Sequence, residues 1–156
     1  MELYREFFRA IEALNEKDVE YCVVGGIALA FHARPRFTRD IDILAKRTDL
    51  PLCREIFRSL GYSETGIPWT FKNTAITLHR FTKPSEEDDE DMIVMDLLLG
   101  HEDRHNEIID RSLSDDSFAG KVRLARKEDL IWMKTIRGSK QDEADIEQLE
   151  RSDDED

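Results

Sequence analysis

Residues 24–43 read VGGIALAFHARPRFTRDIDI. Paired glycines stand at one end, and two aspartates one residue apart stand at the other. Tyr21-Cys-Val-Val24 before the glycines is a short apolar strand, and Gly25-Gly26 is read as a turn. Ile27–His32 then begins a helix packed on that strand. Arg34-Pro-Arg36 closes it, because the residue before a proline disfavours the helical region. Thr38–Ala45 alternates and then turns apolar, which predicts a second strand. Asp40 and Asp42 lie two apart on it, so their side chains share one face while Arg39 and Ile41 face the other.

Farther along, Met92–Leu99 is the most apolar strand in the chain, yet Asp96 sits in its middle. A lone buried carboxylate there costs several kcal/mol (roughly). Adjacent carboxylates also resist joint ionisation unless a cation lies between them. The economical solution is that Asp40, Asp42 and Asp96 converge on Mg²⁺, a hard ion that takes oxygen ligands. A pair of such ions can clamp an attacking hydroxyl and a polyphosphate in an in-line displacement. Gly25 and Gly26 fit that chemistry, since bare backbone and a helix N-terminus can approach phosphate oxygens.

The rest of the chain supplies the frame. Leu3, Phe7, Phe8, Ile11 and Leu14 recur at helical spacing and predict a first helix over residues 2–16. Leu50–Leu60 is a helix, with Pro51 in its first turn and Gly61 after its end. Trp69–Phe71 and Ala75–Phe81 read as strands joined by a turn at residues 72–74. Residues 102–112 read as helical, 118–124 as a small hairpin, and 127–136 and 142–150 as helices. Alternating helices and strands predict an α+β domain of α/β type, with one mixed sheet and flanking helices. A single domain over 1–150 is expected, with an acidic loop at 84–91 and an acidic tail at 151–156.

Bulk composition narrows the function classes. The chain has 156 residues and a net charge of −12. Residues 1–85 hold 13 Lys and Arg against 11 Asp and Glu, whereas residues 86–156 hold 10 against 24. Most of the excess lies in Glu86–Asp91 and Asp153–Asp156, read as solvated, mobile runs. This balance argues mildly against a nucleic-acid-binding module, which depends on cationic contacts. No apolar run approaches the roughly 18 residues of a membrane span. The N-terminus lacks the basic start and apolar centre of a signal peptide. Cys22 and Cys53 sit in apolar patterns and read as buried thiols, so a cytoplasmic protein is expected.

The pattern Gly25-Gly26, Arg36-x-Thr38-x-Asp40-x-Asp42, with Asp96 later, resembles the minimal nucleotidyltransferases of the DNA polymerase β superfamily. It is most similar to the stand-alone proteins related to abortive-infection toxin nucleotidyltransferases. Glu128–Lys134 followed by Lys140–Ile146 resembles that group's closing segment, in which a helical lysine and a later Asp pair complete the site. The resemblance implies the nucleotidyltransferase fold. It also implies transfer of a nucleoside monophosphate from an NTP to a hydroxyl, with pyrophosphate leaving.

By that resemblance Asp40, Asp42 and Asp96 are the metal-binding and catalytic residues, with Asp96 acting as base or orienting the acceptor hydroxyl. Gly25, Gly26, Arg36, Thr38 and Lys134 are the nucleotide-binding residues, and two Mg²⁺ ions are expected. The acceptor is left open among RNA, a small molecule and a protein. An antitoxin or a second copy of the chain are the candidate partners, and no membrane is expected. The alternative is a non-catalytic nucleotide-binding or protein-interaction module of the same fold.

Several residues keep two readings. His32 either edges the site or packs. Asp142 and Asp145 are either exposed helix acids or a buttress for Lys134. Trp69 and Phe71 read as sheet packing, with base stacking as the alternative, and Trp132 as core. His79, His101 and His105 lack zinc-ligand spacing.

Overall fold

A computed structural model describes residues 2–33, 39–71, 74–118, 120–137 and 140–154. The amphipathic first helix forms as expected, α1 at Glu2–Glu16, with Phe7, Ala10, Ile11 and Leu14 buried along one stripe. Strand β1, Tyr21–Val24, is buried throughout and runs straight into α2, Gly25–His32. The expected glycine turn is therefore the first turn of that helix. Gly25 takes φ +71, a left-handed conformation that lets the chain swing from strand to helix without a separate loop.

Strand β2, Asp40–Lys46, follows, then a short 3₁₀ turn at Arg47–Asp49 and α3, Leu50–Ser59, with a proline in its first turn. Strand β3 covers Ser63–Thr70, well beyond the expected Trp69–Phe71. The strand absorbs Gly66 and Pro68 in an irregularity between Thr65 and Trp69, with Gly66 at φ +75. Strands β4, Ile76–Pro84, and β5, Met92–Gly100, form an antiparallel pair over their whole length. The loop between them is exposed as expected, but it has internal order. The Ser85 amide donates to the Asp91 carbonyl at 3.1 Å, and the Ser85 hydroxyl and Glu86 amide donate to Glu2 at 2.5 and 2.7 Å.

Helix α4, Asp103–Asp110, precedes a hairpin of β6, Leu113–Phe118, and β7, Gly120–Leu124. Sequence reading missed most of β6, because Leu113-Ser-Asp-Asp116 carries no apolar alternation. It is an edge strand, and Leu113, Ser114 and Asp116 are exposed. Helices α5, Lys127–Arg137, and α6, Lys140–Asp154, close the chain.

The seven strands form one mixed sheet in the order β3-β4-β5-β2-β1-β7-β6. The β2–β5 and β1–β7 pairs are parallel and the others antiparallel. The expected α+β, single-domain architecture is observed. Strand alternation sorts the side chains into two faces. Ile41, Ile43, Met95, Leu97 and Phe81 point to the side of α3, where Phe57 meets Phe81 edge-on at 5.1 Å. Asp40, Asp42, Asp96 and Arg80 point to the other face. Cys22 and Cys53 are free and fully buried. No described helix is long and apolar enough to cross a membrane.

Candidate functional site

The registers of β1, β2, β5 and β4 set four residues side by side. Val24 pairs with Asp42, Asp42 with Asp96, and Asp96 with Arg80. Asp40 stands two residues before Asp42 on the same face. These carboxylates line one cavity of about 480 Å³, together with Gly25, Gly26 and Lys134. Six of the eight expected site residues are therefore brought together. The other two, Arg36 and Thr38, lie outside the described residues.

Gly25 is needed here for space as well as for its φ. A Cβ on it would overlap the Asp42 carboxylate. The acid thus lies directly over the first residue of α2, where the helix dipole favours negative charge.

Lys134 comes from α5 and is buried. Its Nζ donates to Asp145 at 3.0 Å and lies 3.8 Å from Asp142, both on α6. The two acids are fully buried, so the exposed-acid reading fails and the buttress reading holds. His32 donates from Nε2 to the Ala125 carbonyl at 2.8 Å, a packing contact that ties the end of α2 to the entry of α5. Trp132 is half-buried against the core, with His105 and Arg104 on its ring. Trp69 and Phe71 line the cavity, and Trp69 is 40% exposed.

Sequence reading missed Arg80. Its Nε and Nη2 donate to the two oxygens of Asp96 at 2.8 and 3.0 Å, a bidentate fork, and its guanidinium lies 5.3 Å from the Trp69 ring centre. The signal was present: a charged side chain between Leu78 and Thr82 in an alternating strand, on the same face as Leu78. Arg39 stands at the cavity edge, 3.6 Å from Asp91 of the acidic loop.

The fork bears on the metal expectation. Among the described residues, no group of three His, Cys, Asp or Glu side chains is arranged to hold a metal ion. Asp96 faces Arg80 instead. Asp40 and Asp42 remain as an oxygen-only pair, the donor chemistry of a hard divalent cation. Loss of water, and then the charge of Asp96, push the Asp40 carboxyl above the usual carboxylate range, while Arg80 and Arg39 oppose this. That strain is what a bound cation would relieve.

The shift has a measurable consequence. A raised carboxyl favours its neutral form, so ionised Asp40 destabilises the fold. The cost appears as pH rises from about 3.9, the ordinary Asp value, through the raised folded value, and is constant above that. Asp40→Asn is therefore expected to melt above wild type at pH 7 in chelator, with the gap closing below about pH 4. Calorimetric or CD melts across that range measure it.

The sequence matches the profile of a family described as "Nucleotidyltransferase of unknown function (DUF6036)" over residues 4–154. No curated protein matches it. Among solved structures, TM1012 of Thermotoga maritima is similar at TM-score 0.63 and 16% identity, covering 98% of this chain and 93% of that one. The complex of ANT(2'')-Ia with adenylyl-2''-tobramycin is similar at 0.58 and 15%, covering 92% and 84%. The lincosamide antibiotic adenylyltransferase LnuA, lincomycin-bound, is similar at 0.56 and 18%, covering 94% and 95%. At these identities the likeness is one of fold.

Proposed function

We propose a specific reaction for this chain, which belongs to that nucleotidyltransferase family: a nucleoside monophosphate passes from an NTP to a hydroxyl on a small-molecule acceptor. The observation that carries it is the row Asp42–Asp96–Arg80 across β2, β5 and β4, with Asp40, Gly25, Gly26 and Lys134 on the same cavity. Asp40 and Asp42 are the residues that would hold Mg²⁺, with triphosphate oxygens completing the set. The ion supplies charge that draws phosphate and acceptor oxygens together.

The chain's own groups divide the remaining work. The start of α2 at Gly25-Gly26 offers backbone N–H groups to the triphosphate, and Lys134 offers a cation fixed by Asp145. Arg36 and Thr38 belong to the nucleotide side by sequence resemblance. Asp96, aimed by the Arg80 fork, takes the proton of the acceptor hydroxyl. The acceptor oxygen bonds to the α-phosphorus as the bond to pyrophosphate breaks.

Two similar structures, one holding adenylyl-tobramycin and one holding lincomycin, support a small-molecule acceptor and adenylyl as the group moved. The buried free thiols support a cytoplasmic setting. A toxin role with an antitoxin partner has its support in the sequence resemblance alone.

Labelled NTP, Mg²⁺ and a mixture of cellular small molecules test the reading. Expected are pyrophosphate release and a labelled product, both stopped by chelation. Nucleotide that raises the melting temperature without any pyrophosphate release would instead identify a non-catalytic binder.

A further inference from the structure

We infer that the part of the cavity beyond Asp96 receives the acceptor, and that this acceptor is a small uncharged hydroxyl compound with an apolar ring or chain. The inference rests on the nucleotidyl-transfer reading and names its second substrate.

Gly25 and Gly26 flank the acids on the β1 side, where α2 begins. In an in-line displacement the attacking oxygen stands opposite the leaving group. Triphosphate on the α2 side therefore puts the acceptor across Asp96, toward β4 and β3.

The surface there differs from the acidic cluster. Two residue pairs on from Asp96 and Arg80, Leu98 pairs with Leu78, and Leu78 with Trp69. These three share the face of Asp96, and Phe71 and Met133 line the same cavity. Among the described lining residues, the only carboxylates are Asp40, Asp42 and Asp96 themselves. Arg80 borders the apolar row, lying over Trp69 and forked on Asp96.

That lining selects. A polycation entering here would lose water, gain no new carboxylate and meet Arg80. A polymer would have to bring its hydroxyl to Asp96, which is only 3% exposed. RNA would also approach a chain of net charge −12. An uncharged apolar body gains contact with Leu78, Leu98 and the Trp69 ring, and places its hydroxyl at a carboxylate already aimed by Arg80.

The test uses the full chain, Mg²⁺ and four α-labelled NTPs, with three acceptor sets: uncharged aryl glycosides and alicyclic alcohols, aminocyclitol polycations, and total cellular RNA. Label is expected on members of the first set only. Trp69→Ala, and Leu78→Lys if it folds, should raise the acceptor KM by about tenfold or more. Both should leave the Kd of a non-hydrolysable NTP analogue within about twofold of wild type. Label on polycations or RNA overturns the inference, as does label on nothing while the analogue binds. Weakened analogue binding in Trp69→Ala also overturns it, because this half would then hold the base. Failure of the wild-type chain to bind the analogue at all sinks the underlying nucleotidyl-transfer reading instead.

Discussion

Asp42→Asn is expected to lower nucleotide transfer by about a thousandfold while the chain keeps its fold, since the charge lost is one a metal-assisted displacement depends on. Asp42 stands inside the row, with Val24 on one side and Asp96 on the other. Its carboxylate rests over Gly25, so the site is shaped to the size of this side chain. Asparagine keeps that shape and removes the charge. Asp42→Glu keeps the charge but adds a methylene in tight surroundings, and it should also be severely impaired. Initial rates with labelled NTP, alongside CD melts, separate loss of chemistry from loss of structure. More than about a tenth of wild-type rate in Asp42→Asn would remove Asp42 from the reaction centre.

Lys134→Met is expected to lower the melting temperature by on the order of 10 °C. The substitution takes away the cation that Asp142 and Asp145 share. Both carboxylates are 2% exposed or less, and the lysine is 6% exposed. Removing one partner of a buried ion pair typically costs about 3–5 kcal/mol. In a domain of this size each kcal/mol moves the midpoint by roughly 2–4 °C. The effect should be largely reversed in Lys134→Met/Asp142→Asn/Asp145→Asn, where no charge is left behind, while nucleotide affinity stays reduced. A triple variant no more stable than the single one would show that the lysine's packing, not its charge, holds α5 to α6.

The sequence showed the site best where charge broke an apolar pattern. Asp96 within VMDLLL and the pair Asp40, Asp42 stood out because burial of such groups needs a reason. Arg80 carried a similar signal, but its meaning depends on which strand lies beside β5. That pairing joins Arg80 to Asp96 across the acidic loop, and no local pattern states it. Gly25-Gly26 was legible as a place of unusual backbone, yet not as a helix start, because the helix begins inside the glycines. The two readings of Asp142 and Asp145 could be told apart only once α6 was laid against α5. Strand β6 was hidden because an edge strand has little apolar surface to conceal.

The Arg80–Asp96 fork means that the polypeptide brings its own counter-charge to the three carboxylates of its cavity. Asp96 therefore has its counter-charge within the sheet itself, from the strand beside it. The group that steadies the third aspartate is thus encoded two strands away from the first two.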